Sequence, residues 1–120
     1  TATYQLEKKT VMKWVFRKTG IWARIYGDNA GRYEEVIAAL PADMQKKMTA
    51  SRDCKRLIDP DACSGTCVKG FVYSLNGETQ KKCRNDGMLF LLTEETAEYI
   101  AGLICAEVAV RKLALQQLNR

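Results

Sequence analysis

From Val11 to Arg17 the order Val-Met-Lys-Trp-Val-Phe-Arg alternates two sets of residues, Met12, Trp14 and Phe16 against Val11, Lys13, Val15 and Arg17. A period of two belongs to a half-buried strand and predicts one here. Lys18, Thr19 and Gly20 supply a turn in which Gly20 is free to take positive φ, and Ile21, Ala23 and Ile25 then alternate with Trp22, Arg24 and Tyr26. The two runs predict a hairpin, with an edge strand before it around Thr3 to Leu6. Met12, Trp14 and Phe16 are expected in the core, and Trp22, Arg24 and Tyr26 share the other face of their strand.

Gly27-Asp28-Asn29 interrupts the pattern, with Asp28 or Asn29 as an N-cap, and Tyr33, Val36, Ile37 and Leu40 follow at helical spacing. Pro41 disfavours helical backbone in the residue before it, so Leu40 ends that helix and a shorter one runs from Pro41 to about Thr49, with Met44 and Met48 inward. Thr49 to Lys69 show no period and read as an ordered loop. Val68 to Leu75 and Glu78 to Arg84 then flank Asn76-Gly77, a strong signal of a type I′ hairpin. Asn85-Asp86-Gly87 is a second turn, Met88 to Leu92 a strand, and Thr93 the N-cap of a helix from Glu94 to Leu118. The order β-β-α-(α)-Cys loop-β-β-β-α predicts an α+β fold: a mainly antiparallel sheet of four to five strands with helices on one face.

At 120 residues and 13.5 kDa, residues 1–120 make one domain, within which residues 50–84 form a cysteine loop and hairpin. Hydrophobic residues are 47% and charged residues 28%, the balance of a globular chain. No apolar run approaches the ~20 residues that cross a bilayer, and Thr1 to Lys9 do not resemble a secretion signal. The expectation is a cytoplasmic protein without a membrane partner. Histidine is absent, which removes Ser-His and Cys-His nucleophile pairs and His-ligated metals. No carboxylate among Glu34, Glu35 and Asp86 has an evident acid/base partner, so the reading is non-enzymatic.

Cys54, Cys63, Cys67 and Cys83 stand as C-x8-C-x3-C-x15-C, with the last on the return strand of the Asn76-Gly77 hairpin. Four thiolates in tetrahedral array suit a structural zinc ion. Between Lys46 and Arg84 nine basic residues face four acidic ones, a surplus equal to the +5 of the whole chain, and such cations offset the −2 of a zinc tetrathiolate. The sequence has no C-x2-C knuckle, so disulfides, buried or redox-reactive thiols, and an iron–sulfur cluster remain alternative readings. Cys105, among Ile100, Leu103, Ile104 and Val108, is expected to be a buried small hydrophobe.

Cys54-Lys55-Arg56, Asp59-Pro60-Asp61-Ala62-Cys63, Cys67, Lys69-Gly70-Phe71, Asn76-Gly77 and Lys82-Cys83-Arg84 together resemble a group of small bacterial proteins. These share four cysteines, an aromatic glycine hairpin and a closing acidic, apolar helix. The resemblance spans roughly residues 11 to 112 and implies that the cysteines act as a unit; it implies no activity.

Charge and aromatics suggest a ligand surface. Trp22, Arg24 and Tyr26, with Lys55, Arg56, Lys82 and Arg84, are the candidate residues for an anionic partner, and nucleic acid is the alternative occupant. The terminal helix is apolar over much of its circumference, leaving a narrow polar line through Glu95, Glu98, Gly102, Ala109, Lys112 and Gln116. That breadth predicts a second copy or another protein against its later part.

Overall fold

Alternation in the first half of the chain builds an antiparallel meander of β1 (Ala2–Leu6), β2 (Lys9–Arg17) and β3 (Gly20–Ile25). The computed structural model describes residues 2–6, 9–59 and 69–118. Arg17 pairs with Gly20, so Lys18 and Thr19 form a two-residue loop; neither of them takes positive φ, and the chain reverses with the positive φ (133°) on the flanking Gly20 instead. Met12 lies opposite Ile25 and Trp14 opposite Ala23, and Met12, Ala23 and Ile25 are buried together. Phe16, expected on the same inner face, is 62% exposed, as is its cross-strand partner Ile21 at 41%. The hairpin tip therefore extends beyond the core.

Asn29 caps nothing with its side chain; a 3-10 turn at Ala30–Arg32 intervenes, and α1 (Glu34–Ala38) follows. Pro41 is the N-cap of α2 (Ala42–Thr49), whose Met44 and Met48 are buried, as the sequence predicts. Beyond α2, Asp53 pairs with Lys82 in an isolated antiparallel bridge and Lys55–Ile58 forms one turn, α3. The segment expected to be loop throughout thus contains a helical turn and a strand-like contact.

Phe71–Leu75 (β4) and Glu78–Lys82 (β5) form the predicted hairpin, with positive φ at both Asn76 (54°) and Gly77 (82°), as a type I′ turn demands. The hairpin is a separate two-stranded sheet, while β6 (Leu89–Leu91) joins β3 to complete the four-stranded order β1-β2-β3-β6. The other edge of β4 has helical neighbours. The Ser74 N–H, on the edge of β4, donates to Glu34 Oε2 at 2.6 Å, and Gly31 packs so closely that a Cβ there would lie 3.0 Å from the Val72 carbonyl oxygen. Helical elements occupy that edge, and Phe71, Tyr73 and Leu75 enter the common core.

The last helix, α4 (Ala97–Leu118), starts where Thr93 and Thr96 cap reciprocally: Thr96 N–H donates to Thr93 Oγ1 at 3.1 Å and Thr93 N–H to Thr96 Oγ1 at 2.8 Å. Ile100, Leu103 and Glu107 form its buried stripe. Cys105 is exposed, contrary to expectation, because helical geometry turns it away from Leu103. Among the described residues no helix is long and apolar enough to cross a membrane.

Candidate functional site

Trp22 and Arg24 share one face of β3, half-buried, whereas Tyr26 follows the strand and is only 4% exposed, and each has a cation at hand. Trp22 donates from Nε1 to Thr19 Oγ1 at 2.8 Å, with Lys47 Nζ 5.0 Å and Arg17 Cζ 5.8 Å from its ring centroid. Arg24 is paired in register with Lys13 on one side and Leu89 on the other, and its Nε is buried without a hydrogen-bond partner. Tyr26 lies under the Arg84 guanidinium, 4.0 Å from Cζ to the ring centroid. Arg84 in turn donates from Nε to Asp28 Oδ1 at 2.9 Å and from Nη2 to Asp28 Oδ2 at 3.4 Å.

Lys82 does not join this surface. Its ammonium is buried and donates to the Thr49 carbonyl (2.8 Å), the Ser51 carbonyl (3.1 Å) and Asp53 Oδ1 (2.7 Å). An ammonium has three donors, so Lys82 fastens the end of α2 and has none left for an anion. Lys55 is exposed at the start of α3, and the Arg56 side chain lies outside the described residues. Of the carboxylates considered from sequence, Glu34 holds Ser74 and Asp86 pairs with Arg52 at 3.3 Å.

The Asp53–Lys82 bridge also positions two cysteines. Cys54 N–H donates to the Lys81 carbonyl at 2.9 Å and Cys83 N–H to the Arg52 carbonyl at 2.8 Å. Strand alternation then sets Cys54 and Cys83 on the same side of the junction, as diagonal neighbours. Gly70 N–H donates to Cys54 Sγ at 3.4 Å, and any side chain at Gly70 would run into the Lys82 carbonyl and come within 2.9 Å of Cys54 Cβ. Cys54 is buried and Cys83 half-buried, both as free thiols. Cys63 and Cys67 lie outside the described residues, among which no three metal-ligating side chains converge.

The most completely bonded polar centre among the described residues carries no plain sequence motif. Glu107 is fully buried on α4 and accepts four hydrogen bonds, from Asn29 N–H (3.1 Å), Asn29 Nδ2 (2.7 Å), the Tyr33 hydroxyl (2.7 Å) and Arg111 Nε (2.7 Å). Arg111 also donates to the Thr10 and Tyr26 carbonyls and to Asp28 Oδ2. Burial, reinforced by the adjacent Glu107 carboxylate, pushes the Tyr33 phenol well above its ordinary range, so it stays protonated as a donor. A cleft of about 340 Å³ opens beside Arg111, between Leu6 and Leu115. With four donors on one carboxylate, the centre acts as a clamp between α4 and the segment after β3. Its only sequence signal is an acid and an arginine four residues apart inside an apolar helix.

No protein-family model matches the chain, and no curated protein or solved structure shows a significant likeness to it.

Proposed function

We propose that this protein is a cytoplasmic, non-enzymatic binding module in which Cys54, Cys63, Cys67 and Cys83 hold a structural zinc ion and the β3 face contacts an anionic partner. The observation that carries the partner reading is the company of Trp22 and Arg24: Arg17 and Lys47 lie against the Trp22 ring and Lys13 stands opposite Arg24. The zinc reading is supported by the diagonal placement of Cys54 and Cys83 on one side of the junction, with the Gly70 N–H donating to Cys54 Sγ. Four thiolates close the coordination shell, so the ion would supply folding energy rather than a reactive position. Leu113, 45% exposed on the later part of α4, supports that helix as a protein contact.

Native mass spectrometry beside a thiol titration of the denatured chain tests the metal. One zinc per chain with all five thiols recovered is the expected result. A metal-free chain lighter by about two hydrogens for each lost thiol pair would replace zinc with disulfides. A metal-free, fully reduced chain whose Cys54→Ser variant stays folded would favour the thiol-redox reading.

A further inference from the structure

Lys13 and Arg24 stand directly opposite each other across β2 and β3. Like charges at such positions destabilise a sheet. Among the described residues no salt bridge or side-chain hydrogen bond reaches either one. Arg24 Nε is moreover buried with no acceptor, which is unfavourable for a charged donor. One oxyanion bound between the two side chains would offset the like-charge pair, and the planar guanidinium fork matches phosphate geometry.

The cations form a line. Two residues along β3, Trp22 carries Arg17 and Lys47, and Lys18 ends the hairpin. None of these three takes part in a salt bridge among the described residues. Every second strand residue advances roughly 6–7 Å; in register, Lys13–Arg24 is followed by the uncharged Val15–Trp22 pair, with Lys47 of α2 against the Trp22 ring, and then by Arg17, so the cations lie along a single track. A phosphodiester chain presents one anion per repeat along such a track, whereas a duplex presents two rails.

We propose that Lys13 and Arg24 grip one phosphate of a single-stranded nucleic acid whose backbone follows β3 past Trp22 toward Lys18. The inference rests on the reading of the β3 face as an anion-contacting surface and names its partner. The contacts are to the backbone, so the binding is indifferent to base sequence and weakens with salt.

The test is fluorescence anisotropy of the full chain with a labelled oligothymidylate of about a dozen nucleotides, a length within known single-strand site sizes, across a range of potassium chloride. Lys13→Gln and Arg24→Met should each weaken binding on the order of five-fold and flatten the log–log salt slope by about 0.7. Lys112→Gln, an exposed cation on α4, should change neither. Without ligand both variants should melt no lower than the parent, since each relieves a like-charge pair. Titrating inorganic phosphate should shift the Arg24 Nε–H resonance. Unchanged affinity in both variants, an equal loss in Lys112→Gln, a lowered melting temperature, a still Nε–H resonance or equally tight duplex binding would each overturn the proposal. If polyglutamate binds through Arg24 and the oligonucleotide does not, the nucleic-acid inference falls and the anionic-partner reading stands. If no polyanion binds, both fall.

Discussion

Glu107 and Arg111, one turn apart on α4, form an ion pair of 2.7 Å in which the carboxylate is wholly inaccessible and the guanidinium side chain is 10% exposed. The remaining guanidinium donors hold the Thr10 and Tyr26 carbonyls, so this single pair ties the last helix to β2 and to the end of β3. A helix that is apolar around much of its surface could slide or rotate on a sheet. A buried ion pair with named acceptors at fixed positions gives it one register.

Arg111→Met leaves the Glu107 charge buried with only neutral donors. Its expected cost is about 3–5 kcal/mol in urea unfolding. Adding Glu107→Gln removes that charge, so the double variant should recover about 1–2 kcal/mol relative to Arg111→Met alone. A double variant no more stable than the single one would show that Arg111 acts through its carbonyl contacts and not through Glu107.

Lys82 and the exposed Arg52–Asp86 pair separate buried from surface charge. Lys82→Met strips partners from the Thr49 and Ser51 carbonyls, an expected loss of about 2–4 kcal/mol that largely persists in 1 M salt because the ammonium itself is buried. Arg52, 73% exposed in its pair, should cost under about 1 kcal/mol on change to alanine, and that cost should fade with salt. Hydrogen exchange in the last turn of α2 should quicken in Lys82→Met alone.

Much of this architecture is local in origin and could be read from the chain. The β2–β3 alternation, the paired positive φ of Asn76 and Gly77 and the Thr93 cap all depend on neighbours within a few residues. The β4–β5 hairpin was legible as a hairpin, but what lies along its edge was not: Glu34 reaches Ser74 from 40 residues away. Glu107 meets Tyr33 across 74 positions, and no short window carries that distance. Cys105 is a different case. It falls three residues after Gly102 and four before Ala109, on the polar line already visible in the sequence, and that line is exposed in the fold. Its exposure could have been foreseen, and its apolar neighbours misled. At the candidate site, alternation placed Trp22 and Arg24 on one face of β3, but Tyr26 lies beyond the strand and is buried, and Lys82 is buried too, because a basic or aromatic residue near a strand carries no mark of burial.

Gly70 sits against both Cys54 and the Lys82 carbonyl, with no room for a methyl group. Gly70→Ala should therefore displace this segment, at about 1–3 kcal/mol for the forced backbone shift, and withdraw its N–H from Cys54 Sγ. Cys54 should then react faster with a disulfide reagent in the metal-free protein, while Cys105, exposed already, should keep its rate. Equal rates at Cys54 in parent and variant would show that the Gly70 amide does not shield that sulfur.

Tyr73 sets the behaviour at high pH. It stacks on Phe71 with ring centroids 5.8 Å apart, is 1% exposed, and its hydroxyl has no hydrogen-bond partner. Burial alone raises its pKa from 10.0 to about 12. In the unfolded chain the phenol ionises near its ordinary value, so above about pH 10 the unfolded state releases a proton that the folded state retains. Stability from this group is complete below about pH 10 and is lost as the pH rises toward 12; Tyr33, also raised, acts in the same direction. Tyr73→Phe removes one of the two contributions, so stability should decline less steeply between about pH 10 and pH 11.5 in urea titrations. At neutral pH the variant should match or exceed the parent by up to about 1 kcal/mol, because it deletes an unpartnered buried hydroxyl without opening a cavity. A variant that is weaker at pH 7 and declines in parallel with the parent would mean that the Tyr73 hydroxyl has a partner, such as a bound water.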